Sequence, residues 1–340
     1  YVKKKSKSIY RKKPYLKNLF ILGSSYGFGF FFFGIYWIAN SLTFDESFKF
    51  LIPFSLILIP LFLSLFFSLT ILLIGNFCEK NISSIFLISL ALSLSDFIRS
   101  KILTGFPWNI WSYSLSWSIE SLQILSTIGL FSLNLLIITI FFLPSVLFFK
   151  PKVKYFFFFS FMILIFTNYF YGSYKINSVN SDTDSKKINF KIVSAGMNLS
   201  DFKNETEVAL KLIKYSEPDK KKKTIFVWPE GVFLSENFDQ KKEIKDLFTK
   251  SFSKNHLIIL GANTSKNTPS GEKYFNSMIV VDKNFNFISK YDKKKLVPFG
   301  EFLPFEIFLN SIGLKKITPG YASFSKGTEE SIINLKFDSE

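Results

Sequence analysis

The sequence predicts a bundle of membrane α-helices followed by an α/β domain, on three observations. Hydrophobic residues make up 48% of the 340-residue chain and 45 positions are Phe, too apolar for an ordinary soluble domain. These residues crowd into the first half, in runs long enough to cross a bilayer. From about residue 180 short apolar runs alternate with polar turns, and strand signals alternate with helix signals.

The chain opens on a basic segment, 1–18, with eight Lys and Arg in the first 17 positions. A transmembrane domain is expected over 19–174, with helices near 19–40, 50–74, 82–102, 119–147 and 154–172. Asp96 and Arg99 interrupt the third. The positive-inside rule places Lys3 to Lys17 in the cytoplasm. The loop with Asp45 and Glu46 and the loop around Pro107 then lie outside. The nearly neutral loop with Glu79 and Lys80, and the loop with Lys150, Lys152 and Lys154, lie inside. An odd number of crossings delivers everything after about 175 to the outer face. The polar stretch 175–187 reads as a linker, and 188–340 as the α/β domain. Buried strands are expected at 188–196, 223–228, 256–263 and 275–282, helices at 201–215 and 239–253, and a further strand at SIINLKF, 331–337.

The formal charge is +16. In a soluble protein this would point to nucleic acid. Here the basic residues gather ahead of an apolar run or scatter over polar faces, so no nucleic-acid partner is expected. Heavy use of Lys, Phe, Asn and Ile also fits an AT-rich genome. Lysines beside a membrane favour anionic headgroups by about 1 kcal/mol each. Cys78 is the one cysteine, which excludes an intrachain disulfide and a multi-cysteine metal site. His256 is the one histidine, which excludes a multi-histidine centre. No cofactor and no metal are implied.

Some residues carry possible chemistry. In IFVWPEG, Pro229 stops a strand and leaves Glu230 at its C-terminal end, where α/β folds often place active groups. Burial beside Trp228 would raise its pKa toward that of a general base. The other reading is an ordinary turn glutamate. In YDKKKLVPFGEFLPF (291–305) three lysines precede a Pro-Phe-Gly turn and Glu301. Adjacent lysines are usually a solvated face. An extended chain would point Lys293 and Lys295 one way and Lys294 the other, so one could reach inward and pair with Glu230 or Glu301. An ammonium held beside a reacting carbonyl would stabilise developing negative charge. The outer loop TGFPWNIWSY (104–113) carries Pro107, Trp108, Trp111 and Tyr113, which either anchor the surface or line a lipid path. Asp96 and Arg99, at i,i+3 spacing, can pair within a helix or rest at the interface.

WPEG (228–231) and YDKKKLVPFGEFLP (291–304) resemble the glutamate and lysine motifs of the carbon–nitrogen hydrolase, or nitrilase, superfamily. GFGFFFFGIYWI (27–38) and the Asp96-to-Asn109 stretch narrow the resemblance to the apolipoprotein N-acyltransferase family. The resemblance spans about 20–325. It implies an αββα sandwich, incomplete here, on the periplasmic face of the bacterial inner membrane. The family uses a Glu–Lys–Cys triad. By position Glu230 matches the general base, Lys293 the lysine that stabilises the oxyanion, and Glu301 a supporting glutamate. Asn276 in FNS resembles a position near the site and, with Trp108 of the aromatic loop, is expected to bind substrate.

The implied reaction is ping-pong acyl transfer. A phospholipid acylates the cysteine, and the amine of a diacylglyceryl-modified apolipoprotein then takes the acyl chain. Membrane lipids are the other partners. The family's nucleophile follows the lysine motif, but none of the 47 residues after Lys293 is Cys. Cys78 falls at the cytoplasmic end of the second helix, about 30 Å of bilayer away. SAGMN (194–198) stands where the family often has a Gln-containing string. The chain begins at Tyr1 and lacks the family's last helix, so truncation at both ends is expected, with loss of acyl-enzyme formation. Two rival readings are a membrane-tethered amidase of the nitrilase type and a non-enzymatic membrane-anchored binding protein.

Overall fold

The computed structural model describes residues 14–43, 46–102, 105–148, 154–178, 188–194, 196, 204–234, 242–269, 271–306, 311, 323–328 and 332–335. The basic segment up to 13, Asp45, Lys150, Lys152, the linker from 179 to 187 and most of SAGMN lie outside them. The chain divides into two compact units, Tyr1–Thr183 and Asp184–Glu340.

In the first unit α1 (Pro14–Ile35) continues as a 3-10 helix, Tyr36–Thr43. A second 3-10 segment, Glu46–Leu51, leads into α2 (Ile52–Ile74). α3 (Ile82–Arg99) starts at Asn81, whose side chain accepts from the backbone N–H of Ser84 at 2.9 Å, the usual way to satisfy a free donor of the first turn. Five helical segments among the described residues are long and apolar enough to cross a membrane: Tyr15–Thr43, Phe48–Ile74, Ile82–Arg99, Leu130–Phe148 and Tyr155–Asn177. Phe31, Ile35, Leu63, Phe67, Leu92 and Ile138 form the core that joins α1, α2 and α3 to the later helix Leu130–Phe142. Between α1 and α2 the hydroxyls of Ser24 and Ser68 meet at 2.7 Å. Close approach and interhelical hydrogen bonds do the work of association where lipid is as apolar as the helices.

The fourth expected helix, 119–147, is broken. Short helices α4 (Ile119–Leu122) and α5 (Leu125–Ile128) precede Gly129, at φ 76°. That left-handed backbone stops α5 and opens α6 (Leu130–Phe142), with a 3-10 extension to Phe148. α7 (Lys154–Asn177) runs into the stretch expected to be a linker.

Asp96 and Arg99 do not interrupt α3. Both are buried, and Arg99 Nη2 lies 2.8 Å from Asp96 Oδ1. Asn134 of α6 donates to the other oxygen, Oδ2, at 2.9 Å. Pairing and hydrogen bonding are what make such groups tolerable at membrane depth.

The second unit holds a mixed five-stranded sheet in the order β1-β2-β3-β4-β5. The strands are β1 (Asn189–Ile192), β2 (Thr224–Val227), β3 (His256–Thr268), β4 (Gly271–Val281) and β5 (Phe287–Asp292). β1, β2 and β3 run parallel, and β3, β4 and β5 antiparallel. α8 (Glu205–Ser216) and α9 (Lys242–Ser251) cover one face, where Val208, Leu212, Ile244 and Phe248 pack on Phe226, Ile258, Leu260 and Ile279. The described residues thus form one sheet layer and one helix layer. The opposite face carries a smaller cluster of Ile225, Leu257 and Val280.

Three expectations need correction here. β1 is an edge strand whose Phe190 and Ile192 are exposed, not buried. The sequence missed β5, because Ile288 is the only strongly apolar residue between Phe287 and Tyr291. Residues 332–335 are described and are not strand.

Candidate functional site

β2 ends at Val227, and the next four residues build the site's first wall. Trp228 turns toward the helices, where its indole N–H donates to Ser216 Oγ at 2.9 Å and its ring packs on Phe248. Gly231, at φ 67°, then turns the chain back so that Phe233 bridges to Ala262 of β3. The turn lies flat on β3 because position 261 is Gly. A Cβ there would sit 2.6 Å from Gly231 N and 2.7 Å from Glu230 Cα. Glu230 therefore emerges at the strand end with its side chain 66% exposed.

The second wall comes from β4 and the segment after β5. Asn276 pairs with Asn263 and faces away from the helices, because its neighbour Ser277 pairs with Ala262 on the helix face. Lys293 follows the last residue of β5, and its N–H donates to Asn276 O at 2.9 Å. The Pro298-Phe299-Gly300 turn then brings Glu301 back. Phe299 sits at φ 64°, and its N–H closes on Phe302 O at 2.7 Å.

These side chains converge. Lys293 Nζ lies 3.1 Å from Glu230 Oε1 and 2.7 Å from Glu301 Oε1. Asn276 Nδ2 donates to the same two oxygens, at 2.8 and 2.7 Å. Glu301 Oε2 accepts from the Val297 N–H at 2.8 Å, so both oxygens of that carboxylate are engaged. Among the described residues nothing donates to Glu230 Oε2. Of the two carboxylates, Glu230 is the one with an oxygen left open.

Electrostatics sharpen the contrast. Partial burial pushes the Glu230 carboxyl up, but the hydrogen bonds from Asn276 and Lys293, and the lysine's charge, outweigh it and hold the group below its ordinary value. The expected upward shift is corrected: burial does push the carboxyl up, but Asn276 and Lys293 together pull it down by more. Desolvation pushes Lys293 down, yet Glu301 and Glu230 together raise it. With all three groups charged the cluster carries a net charge of −1. An ammonium flanked by two carboxylates is a fixed positive centre, and a half-open carboxylate beside it is an available proton acceptor.

Lys294 and Lys295 take no part in this cluster. Among the described residues no group of three or more His, Cys, Asp or Glu is placed to hold a metal ion. Cys78 lies in the first unit, with Sγ 3.4 Å from Ile74 O.

In the first unit the aromatic loop is fastened from below. Arg99 Nη1 donates to Phe106 O at 2.7 Å and to Trp108 O at 2.8 Å. Asn109 donates to Phe30 O at 3.1 Å, and Ser112 N–H donates to Asn134 Oδ1 at 3.1 Å. Trp108, 52% exposed, meets Trp37 edge to face at 5.5 Å. Sequence reasoning missed Asn134, although one Asn in the apolar run LFSLNLLIITIFF was a usable signal. It also missed Ser277 and Asp292, the chain neighbours of Asn276 and Lys293.

Residues 8–143 match the family profile described as the apolipoprotein N-acyltransferase N-terminal domain. Curated relatives carry the name apolipoprotein N-acyltransferase. One, from Allorhizobium ampelinum, is 26% identical over 333 residues, covering 94% of this chain and 62% of its own length. Those from Rhodopseudomonas palustris and Bradyrhizobium diazoefficiens are each 27% identical, covering 91% of this chain and 61% and 60% of their own. The chain spans about three fifths of the length of the curated relatives it matches. The similarity read from its motifs is therefore shown along nearly all of it.

Proposed function

We propose that the protein takes part in the N-acylation of lipoproteins, as the names of its relatives say of them. The donor is a phospholipid and the acceptor is the N-terminal amine of a diacylglyceryl-modified cysteine. Glu230 and Lys293, 63 residues apart in sequence, meet at 3.1 Å, and this one observation carries the reading.

In this reading Glu230 Oε2 takes the proton of a thiol as it attacks the donor's ester carbonyl. Lys293 faces the oxygen on which negative charge develops. The tetrahedral centre collapses to a thioester and releases lysophospholipid, with Glu230 returning its proton to the leaving alkoxide. The acceptor amine then attacks the thioester carbonyl, Glu230 removes its proton, and the C–S bond breaks to release the amide, with that proton returned to the leaving thiolate. Glu301, with both oxygens engaged, holds Lys293 rather than moving protons. Asn276 faces the same oxygens and orients substrate beside them, and Trp108 contacts lipid.

Residues 188–340 form the catalytic domain and lie on the periplasmic side of the inner membrane. The 19–174 domain spans that membrane, with the basic 1–18 in the cytoplasm. Both substrates are lipids of the outer leaflet, so a tethered site spares their extraction from the bilayer. These 340 residues hold only Cys78, which this topology puts at the cytoplasmic side. The chain by itself therefore forms no acyl-enzyme.

The test uses proteoliposomes, a phospholipid with a labelled acyl chain and a diacylglyceryl lipopeptide. The 340-residue chain should gain no hydroxylamine-labile label. A chimera continuing after Glu340 with the C-terminal part of the Rhodopseudomonas palustris relative should gain it and pass it to the peptide. Label retained by the chimera's Glu230→Gln or Lys293→Ala variants would refute the assignment.

A further inference from the structure

Behind the site, on the helix face of the sheet, lies a second polar cluster that the reaction does not use. Asp292, the last residue of β5, is buried. Its Oδ1 accepts from Ser277 Oγ at 2.5 Å, and its Oδ2 lies 3.1 Å from Lys290 Nζ. The Ser277 hydroxyl also meets Thr264 Oγ1 at 2.6 Å. Three strands, β3, β4 and β5, are thus tied by buried side chains, with Ser277 reaching Asp292 directly across and Thr264 on the diagonal. Lys290 lies over the Phe275 ring, 5.4 Å from its centroid, so the carboxylate's charge is balanced on its own side of the sheet.

The placement of this tie gives it meaning. Ser277 is the chain neighbour of Asn276, and Asp292 that of Lys293. Ser277 and Asp292 are also direct cross-strand partners and the last rung of the β4–β5 ladder. Beyond that rung the chain leaves the sheet. Lys293 must nevertheless reach two carboxylates at once, and of its backbone groups the N–H is held on Asn276 O at 2.9 Å while the carbonyl accepts from the Gly327 N–H at 3.0 Å. Strand ends fray unless side chains hold them. Neighbours along a strand face opposite sides, so a bond between Ser277 and Asp292 fixes the spacing of Asn276 and Lys293 without touching them.

We infer that Ser277 and Asp292 are a positioning pair that holds Lys293 in register with Asn276 across the sheet. The inference rests on the proposed acyl transfer only for its kinetic consequence. Its structural content is that the lysine's contact with Glu230 and Glu301 depends on a hydrogen bond made on the other face.

The test is competitive trace acetylation of the full chain in detergent micelles across the alkaline range, with Lys293 followed by peptide mass spectrometry. In the parent, Lys293 is shielded and kept protonated by its two carboxylates, so it labels slowly. Ser277→Ala and Asp292→Asn should each speed its labelling by about three- to tenfold, as its pKa falls back toward that of a free lysine. Ser277→Thr, which keeps the hydroxyl, should restore the parent profile. An unchanged Lys293 profile in Ser277→Ala would overturn the inference. So would an equal acceleration at Lys273, Lys283 and Lys293 alike, since that is general loosening. If Asp292→Asn fails to fold, the Ser277 variants read the same contact.

In the chimera, Ser277→Ala should lower kcat several-fold with KM for phospholipid unchanged. A chimera that transfers no acyl chain while Lys293 still responds to Ser277 would end the functional reading and leave the positioning pair standing.

Discussion

Asn276 Nδ2 donates to Glu230 Oε1 at 2.8 Å and to Glu301 Oε1 at 2.7 Å, so one neutral amide bridges two carboxylates that would otherwise repel. The amide and the Lys293 ammonium share the same two acceptor oxygens. The site is a closed ring of four hydrogen bonds; of the two carboxylate oxygens outside it, Glu301 Oε2 is held by the Val297 N–H and Glu230 Oε2 has no donor among the described residues.

Asn276→Ala opens that ring. Its hydrogen bond is one of the forces that hold the Glu230 carboxyl low, so the substitution should move the acid limb of the pH–rate profile to higher pH. The measurement is kcat/KM for acyl transfer by the chimera against pH. An acid limb that stays in place or moves down contradicts the geometry.

The same ring links pH to stability. The Glu230 carboxyl is lowered on folding, so its contribution is complete above the ordinary 4.5 and is lost as pH falls through the lowered value. The Lys293 ammonium is raised, so its contribution is complete below the ordinary 10.5 and is lost as pH rises through the raised value. Melting temperature should therefore sag at both ends, and the two sags should shrink together in Lys293→Met. With Glu230 66% exposed, its share is under about 1 kcal/mol.

Arg99→Leu should cost far more. It leaves Asp96 charged and buried with only Asn134 as partner, and strips the carbonyls of Phe106 and Trp108 of their donor. Breaking a buried pair from one side costs about 3–5 kcal/mol. Thermal unfolding of the chain in detergent should show it. Asp96→Leu/Arg99→Leu together should recover part of the loss.

Gly261→Ala tests the approach of the glutamate turn to β3. The new Cβ would sit 2.6 Å from a backbone nitrogen and 2.7 Å from a backbone carbon, neither of which yields like a flexible side chain. Destabilisation of about 1–3 kcal/mol is expected. Acyl transfer by the chimera should fall further than stability does, since Glu230 is the residue displaced.

The membrane helices were legible because apolar length alone specifies them, yet the break at Gly129 was not. Leu, Ile and Phe continue on both sides of it, and only one backbone angle marks the stop. The central strands were legible in Phe226, Ile258 and Ile279, buried by the helices. β5 was not, because its Ser289 and Lys290 give no apolar alternation. Glu230, Lys293 and Glu301 could be singled out by motif, but their mutual contact is a property of the sheet. The direction of the Glu230 shift was misread because the groups that pull it down, Asn276 and Lys293, arrive from 46 and 63 residues away.

The two carboxylates also reach the lysine by different routes. Lys293 and Glu301 are 8 residues apart and meet across a tight turn, whereas Glu230 is 63 residues upstream and arrives only when the β2–β3 and β3–β4 ladders have formed. Short loops close at lower entropic cost and sooner. Glu301 is therefore the cheaper partner for the half-buried ammonium to reach, and Glu230 adds its charge only where the whole sheet is in place.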